Sequence, residues 1–215
     1  VPSGEGTSLY IRPFIIGMDH HIGVHPSSHL LFIVICSPVG AYYPEGLNPV
    51  KIYVEKNYVR AVRGGMGYTK TAGNYAASLK AQDEAEKQDY TQGTMNVFFV
   101  IDDEIVTPEL QGSILPGITR MSCIDLLKHW GMKVTERRLS IDEVAQAARD
   151  GRLKEAFGSG TAAVISPIGH LKWGDEIMEI NNGEIGPISQ KLYDTITGIQ
   201  WGKIKDEFGW TVEVK

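Results

Sequence analysis

Two apolar, β-branched runs of strand length stand near the start of the chain, Tyr10 to Ile16 and Leu30 to Cys36. Between them, Met18 to Ser28 holds Gly23 and Pro26 among polar residues, the pattern of a loop. Val50 to Val54 alternates like a half-buried strand, and Val59 to Val62 is expected to continue the same sheet. The period then changes. Asn74 to Lys87 sets Ala76, Leu79, Ala81 and Ala85 among Lys, Gln and Glu with no Gly or Pro, which predicts one helix. Asn96 to Ile101 reads as a strand, with Asp102-Asp103 as a hairpin turn into Ile105 to Thr107. Ile118, Met121, Ile124, Leu127 and Trp130 recur near every 3.6 residues, and Gly131 supplies a stop. Ser140-Ile141-Asp142-Glu143 is a capping box that starts a helix running to about Arg149. Phe157 to Gly160 reads as a loop feeding a strand from Ala162 to Ile168. A last helix is expected from about Ile188 to Asp206, interrupted by Gly198 and Gly202.

Composition narrows the class without changing this picture. The 215 residues are 42% hydrophobic and 22% charged, ordinary values for a globular protein. A formal charge of −5, with Lys and Arg scattered, gives no basic surface to neutralise a phosphate backbone, so nucleic acid is excluded as a partner. No apolar run approaches the roughly 20 residues of a membrane span, so no membrane is expected either. The two cysteines, Cys36 and Cys123, both lie in apolar stretches at a spacing that suits neither a disulfide framework nor a zinc site, and a reducing, cytoplasmic compartment is the expectation.

Three stretches carry chemistry. In Arg63-Gly64-Gly65-Met66-Gly67-Tyr68-Thr69-Lys70, glycines crowd a lysine that lies just before a helix. Glycine allows close approach to a ligand, and a partly desolvated lysine presents the free amine that attacks an aldehyde. Leu115-Pro116-Gly117-Ile118-Thr119-Arg120 opens a helix whose free N–H groups at Ile118 and Thr119 suit a phosphate. Phe157-Gly158-Ser159-Gly160-Thr161-Ala162 surrounds Thr161 with small residues, so that its amide and hydroxyl can reach an anion. Taken singly, each also fits a solvated loop, an ordinary helix start or a tight turn.

Together and in order, SLYIRP, VGAYYPEG, GYTKTAGNYAASL, GTMNVFFV, LPGITR and FGSGTA resemble the fold type IV pyridoxal-phosphate enzymes, and specifically the branched-chain amino-acid aminotransferases. The resemblance implies an α/β fold, the family's large domain, with a mixed sheet curled around a cofactor cleft. It implies pyridoxal 5′-phosphate as cofactor and Lys70 as the Schiff-base lysine and proton shuttle. Tyr75 would hydrogen-bond the cofactor's phenolic oxygen, Leu115 would pack on its ring, and Ile118, Thr119 and Thr161 would hold its phosphate. Tyr10, Arg12 and Tyr42 correspond to substrate-pocket positions, with the Thr161-Ala162 turn receiving the substrate carboxylate. The implied reaction is transamination of leucine, isoleucine and valine with 2-oxoglutarate in a homodimer. Residues 1–29 are expected to form the interdomain connection and first strand, and residues 30–215 the cofactor-binding domain.

The sequence departs from that family in two places. Relatives carry a smaller N-terminal domain that supplies an arginine to the phosphate. At Gln92-Gly93 they also carry a further strand and loop ending in a glutamate that pairs with the pyridine nitrogen. The expectation is that both pieces belong to the intact protein and are missing from these 215 residues; the alternative is a true deletion that leaves a non-catalytic fragment. A D-amino-acid aminotransferase or aminodeoxychorismate lyase of the same fold is the runner-up, disfavoured by VGAYYPEG and GTMN. His20, His21, His25 and His29 lack the fixed face that a metal site needs, and no metal is expected.

Overall fold

The computed structural model describes residues 2–4, 6–40 and 47–213. The chain divides into two units, Val1–Pro44 and Glu45–Lys215. The first is a hairpin of β1 (Ser8–Gly17) and β2 (Leu30–Val39), paired antiparallel from Ser8↔Val39 to Gly17↔Leu30. The sequence places a boundary at 29/30, but that point lies inside the hairpin, because the ladder ties both strands into one unit. The connection is exposed and organised by Asp19, whose carboxylate accepts from Ser28 N at 2.8 Å and Ser28 Oγ at 2.9 Å. A hydrogen bond from the Ser27 side chain, together with these two and one from His29, holds the Asp19 carboxyl well below the usual range. Cys36, expected in apolar surroundings, is exposed on β2.

The second unit is a seven-stranded mixed sheet with helices on both faces. Its strands are β3 (Val50–Tyr53), β4 (Asn96–Ile101), β5 (Glu104–Pro108), β6 (Lys133–Arg137), β7 (Leu153–Gly160), β8 (Val164–Trp173) and β9 (Glu176–Glu179). They lie in the order β3-β8-β7-β4-β5-β6, with β9 also paired to β8. The helices are α1 (Ala72–Ala76), α2 (Leu79–Glu86), α3 (Ile118–His129), α4 (Ile141–Arg149) and α5 (Pro187–Gln200). Strand alternation builds two cores from one strand. Phe98 and Val100 of β4 face α3 and α5 and join Cys123, Leu127, Phe157, Leu192 and Ile196. Phe99 and Ile101 face the other way and join Val144, Ala147, Ile168 and Leu171 against α4.

Several elements differ from the sequence reading. Asn74 to Lys87 is two helices, because the chain breaks at Ala77–Ser78, where the buried Ser78 hydroxyl donates to the Tyr75 carbonyl at 2.8 Å. Phe157 to Gly160 is the end of β7, not a loop: Gly158 and Gly160 leave room for the Met95 side chain, whose atoms lie 3.2 Å from the position a Cβ would take at either glycine. Val59 to Val62 forms no strand and both valines are exposed. The last helix stops at Gln200, with Gly202 at φ +67° just beyond it. At Thr91 the chain makes one parallel bridge to Ile52 of β3 and then turns away through Gln92 and Gly93.

Candidate functional site

The lysine segment is a closed turn. Thr69 N donates to the Met66 carbonyl at 3.0 Å, and Thr69 Oγ1 donates to the same oxygen at 2.8 Å. Lys70 follows directly and is exposed, as is Tyr75 on α1, so this unit alone does not supply the partial desolvation expected for Lys70. The turn is docked through Gly67, which is buried; a Cβ there would lie 2.3 Å from the Ser113 carbonyl. Only glycine permits that approach. Arg60 Nη2 donates to the same Ser113 carbonyl at 3.1 Å.

Four residues beyond Ser113, Gly117 caps α3 with extended backbone at φ −66° and ψ 136° and no side-chain hydrogen bond. The first turn carries no acidic residue. The helix therefore begins with backbone N–H groups at Ile118 and Thr119 that no cap side chain satisfies, together with the positive end of its dipole. Ile118 is exposed; Leu115 and Thr119 are half-buried. Arg120, in the same turn, is not aimed at a ligand. It is buried, with Nη2 donating to the Pro108 carbonyl at 3.0 Å and to Glu136 Oε2 at 2.8 Å, so it anchors α3 to β5 and β6.

The third stretch meets the second through Asn96, which sequence reasoning did not single out. Asn96 pairs with Ser159 across β4 and β7. Its Nδ2 donates to the Leu115 carbonyl at 3.0 Å, and its Oδ1 sits 2.3 Å from where a Cβ of Gly117 would stand. The start of α3 and the end of β7 are thus fastened to one residue, the first by its side chain and the second by its backbone, with exposed Thr161 and Ala162 in the turn that follows. The lysine turn, the helix start and the end of β7 all meet the segment between Ser113 and Gly117, the last of them through Asn96. The motif GTMN could have signalled this only as a resemblance; nothing in its spacing predicts that Asn96 bonds a residue nineteen positions away.

The remaining site residues are placed differently. Tyr10 and Arg12 belong to the hairpin unit, where they share a strand face; the Arg12 guanidinium lies 5.1 Å from the centre of the Tyr10 ring and donates to its hydroxyl. Tyr42 lies outside the described residues. An apolar cavity of about 350 Å³ is lined by Ile52, Gln92, Gly93, Val97, Phe99 and Leu171 among others, and includes none of the expected site residues. It opens where the chain leaves β3 after its single bridge. Among the described residues no cluster of three or more His, Cys, Asp or Glu could hold a metal, and no helix is long and apolar enough to cross a membrane.

Comparison with known proteins places this geometry. The sequence profile of the family described as amino-transferase class IV matches residues 4–171. Branched-chain-amino-acid aminotransferase 2 of Bacillus subtilis is similar at 59% identity over all of this chain and 63% of its own length. Branched-chain-amino-acid transaminase 1 of the same organism is 52% identical over all of this chain and 65% of its own. The chain therefore spans less than two thirds of the length of these relatives. The match to the first runs over 229 residues against the 215 here, about 14 more. Among solved structures, branched-chain amino acid aminotransferase from Escherichia coli superposes with a TM-score of 0.81 at 30% identity, covering 96% of this chain and 70% of that one. The branched-chain amino acid aminotransferase of T.th., solved with pyridoxamine 5′-phosphate, gives 0.80 at 26% identity, covering 96% and 70%.

Proposed function

The chain belongs to the amino-transferase class IV family, and on that premise we propose that it is the cofactor-binding part of a branched-chain amino-acid aminotransferase that binds pyridoxal 5′-phosphate through Lys70. The observation that carries this reading is the convergence of three segments on Ser113 to Gly117. It sets an uncapped helix start and the Gly-Ser-Gly end of β7 beside a lysine turn. The donor set fits the phosphate end of the cofactor: the N–H groups of Ile118 and Thr119 lack a cap side chain, and no first-turn acid opposes an anion there. The group supplies an aldehyde that captures an amino group and a ring that draws electrons from the substrate Cα.

The chain's own residues do the rest. Lys70 would hold the aldehyde end, and its Nζ, freed when the substrate amine takes its place, would be the base that takes the Cα proton and passes it to the aldehyde carbon, on the other side of the substrate nitrogen. Ile118, Thr119 and Thr161 would hold the phosphate by charge-assisted hydrogen bonds, Leu115 would pack on the ring, and Tyr75 would donate to its phenolic oxygen. Thr161 and Ala162 would receive the substrate carboxylate; for Tyr10, Arg12 and Tyr42 the resemblance alone implies a part in binding the substrate. Branched-chain amino acids and 2-oxo acids are the substrates, and a homodimer is the assembly; both follow from the resemblance.

Steady-state rates test this reading. Transfer from L-Leu, L-Ile and L-Val to 2-oxoglutarate is expected to exceed transfer from D-Ala, and Lys70→Ala is expected to abolish all of it while the fold persists. Preference for D-Ala would move the protein to the runner-up enzyme. One observation favours a second reading, a non-catalytic fragment: the single bridge at Thr91 and the cavity beside Gln92-Gly93 stand where the further strand and its glutamate would be. Transamination by a species whose intact mass matches these 215 residues would exclude that reading.

A further inference from the structure

The polar side chain most deeply enclosed beside the lysine turn belongs to a residue outside every motif role assigned above. Asn74 of α1 follows Lys70 by four residues and is 4% exposed, although its neighbours Gly73 and Tyr75 are exposed. Its Nδ2 donates to the Met66 carbonyl and to the Thr69 carbonyl, each at 2.8 Å. Both partners are acceptors only, so the NH₂ end must face them, and its two hydrogens match the two carbonyls. Met66 and Thr69 are the ends of the turn from which Lys70 departs, and the Met66 carbonyl also receives both donors of Thr69. On its far side the same turn rests on Ser113 through Gly67.

We infer that Asn74 is the positioning residue for Lys70. This rests on the reading of Lys70 given above. An exposed lysine with four rotatable side-chain bonds can be aimed by the protein only at its Cα, and the Asn74 carboxamide fixes the backbone one residue before that Cα. Positioning of this kind raises the effective concentration of the amine at the aldehyde without touching the phosphate. The requirement is for an amide. Replacing it by the near-isosteric carboxylate would set two acceptors against two carbonyls, and only the protonated acid would restore one donor. Burial pushes such a carboxyl up, so recovery should come as the pH falls.

The test separates linkage from binding. Pyridoxal phosphate and pyridoxamine phosphate share the phosphate and ring, but only the first can bond a lysine. Wild-type protein, Asn74→Asp and Asn74→Ala are each incubated with pyridoxal phosphate, reduced with borohydride and peptide-mapped; pyridoxamine phosphate affinity is measured in parallel. The expected result is at least a tenfold drop in label at Lys70 in both variants. Pyridoxamine phosphate affinity should stay within twofold, which also reports that the site is folded, and the label in Asn74→Asp should rise as pH falls from 8 to 6. Wild-type label at Lys70 with undiminished label in the variants overturns this inference alone, and so does equal loss of both ligands. Wild-type label on another lysine overturns the reading of Lys70 as well.

Discussion

Two helices of the second unit begin on the same backbone and meet opposite fates. Gly117 before α3 and Gly186 before α5 are both extended, at φ −66°, ψ 136° and φ −76°, ψ 152°, and neither can cap with a side chain. At α5 the protein supplies the acceptor itself. Buried Glu155 of β7 accepts from Ile188 N, Ser189 N and Ser189 Oγ, each at 3.0 Å, and fills the space so closely that a Cβ on Gly186 would lie 2.0 Å from its carboxyl carbon. At α3 the side-chain oxygen nearest the glycine is that of Asn96, an uncharged amide, and the first turn carries no acid. A helix start that is filled by a carboxylate is architecture. One whose first N–H groups meet no carboxylate, where the glycine instead makes room for Asn96 Oδ1, is available to an external anion. A glycine before a helix therefore does not mark a binding site by itself; a carboxylate stands at Gly186 and an amide oxygen at Gly117.

The largest expected effect comes from emptying the filled helix start. Glu155→Ala leaves two buried N–H groups and a hydroxyl without their acceptor, and should destabilise the unit by about 3 kcal/mol. Denaturant unfolding measures it, and a loss below about 1 kcal/mol would mean that water or a neighbour replaces the carboxylate. Filling the open start should do the reverse. Thr119→Glu puts a negative charge in the first turn of α3 and should stabilise the helix by about 0.5 kcal/mol. The same substitution should weaken pyridoxamine phosphate binding at least tenfold, about 1.4 kcal/mol, by repelling its phosphate. Unchanged binding would show that α3 is not the phosphate site.

The smallest effect belongs to α4, whose start is satisfied in a third way, by the Ser140 hydroxyl accepting from Glu143 N at 3.1 Å and by acids in its first turn. The hydrogen bond from Arg137 holds the Glu143 carboxyl below its ordinary value of 4.5, against the opposing effect of burial. Because the folded value is lowered, the contribution is complete above pH 4.5 and fades as pH falls through the folded value. The pair is partly exposed, so the contribution is under about 1 kcal/mol. Glu143→Gln should cost that much at pH 7 and nothing once the pH lies below both values.

How far the sequence anticipates the molecule follows the range of the interactions. The start of α4 and the stop of α3 at Gly131, with φ +76°, were legible because Ser140, Glu143 and Gly131 act on their own neighbours. The turn at Asp102, at φ +53°, is equally local. The break at Ala77–Ser78 was not legible, since alanine and leucine spacing favours an unbroken helix and the serine hydroxyl competes with it only in the folded context. Phe157 to Gly160 misled for a related reason: glycines that make room for Met95 in a sheet look the same as glycines in a loop. At the site, the motif segments were readable as a resemblance, whereas their fasteners were not. Asn96 reaches Leu115, and Glu155 reaches Ser189 thirty-four residues on, through partners that no local period reveals. Asn74, only four residues from Lys70, stands in the sequence only as the first residue of an expected helix.

On this reading the start of α3 takes a phosphate, whereas Glu155 closes the start of α5. Titrating the isotopically labelled chain with pyridoxamine phosphate while following backbone amide resonances tests it directly. The account predicts large, saturable shifts at Ile118, Thr119 and Thr161, with Ile188 and Ser189 unmoved. Silence at Ile118 and Thr119, or equal movement at both helix starts, would contradict it.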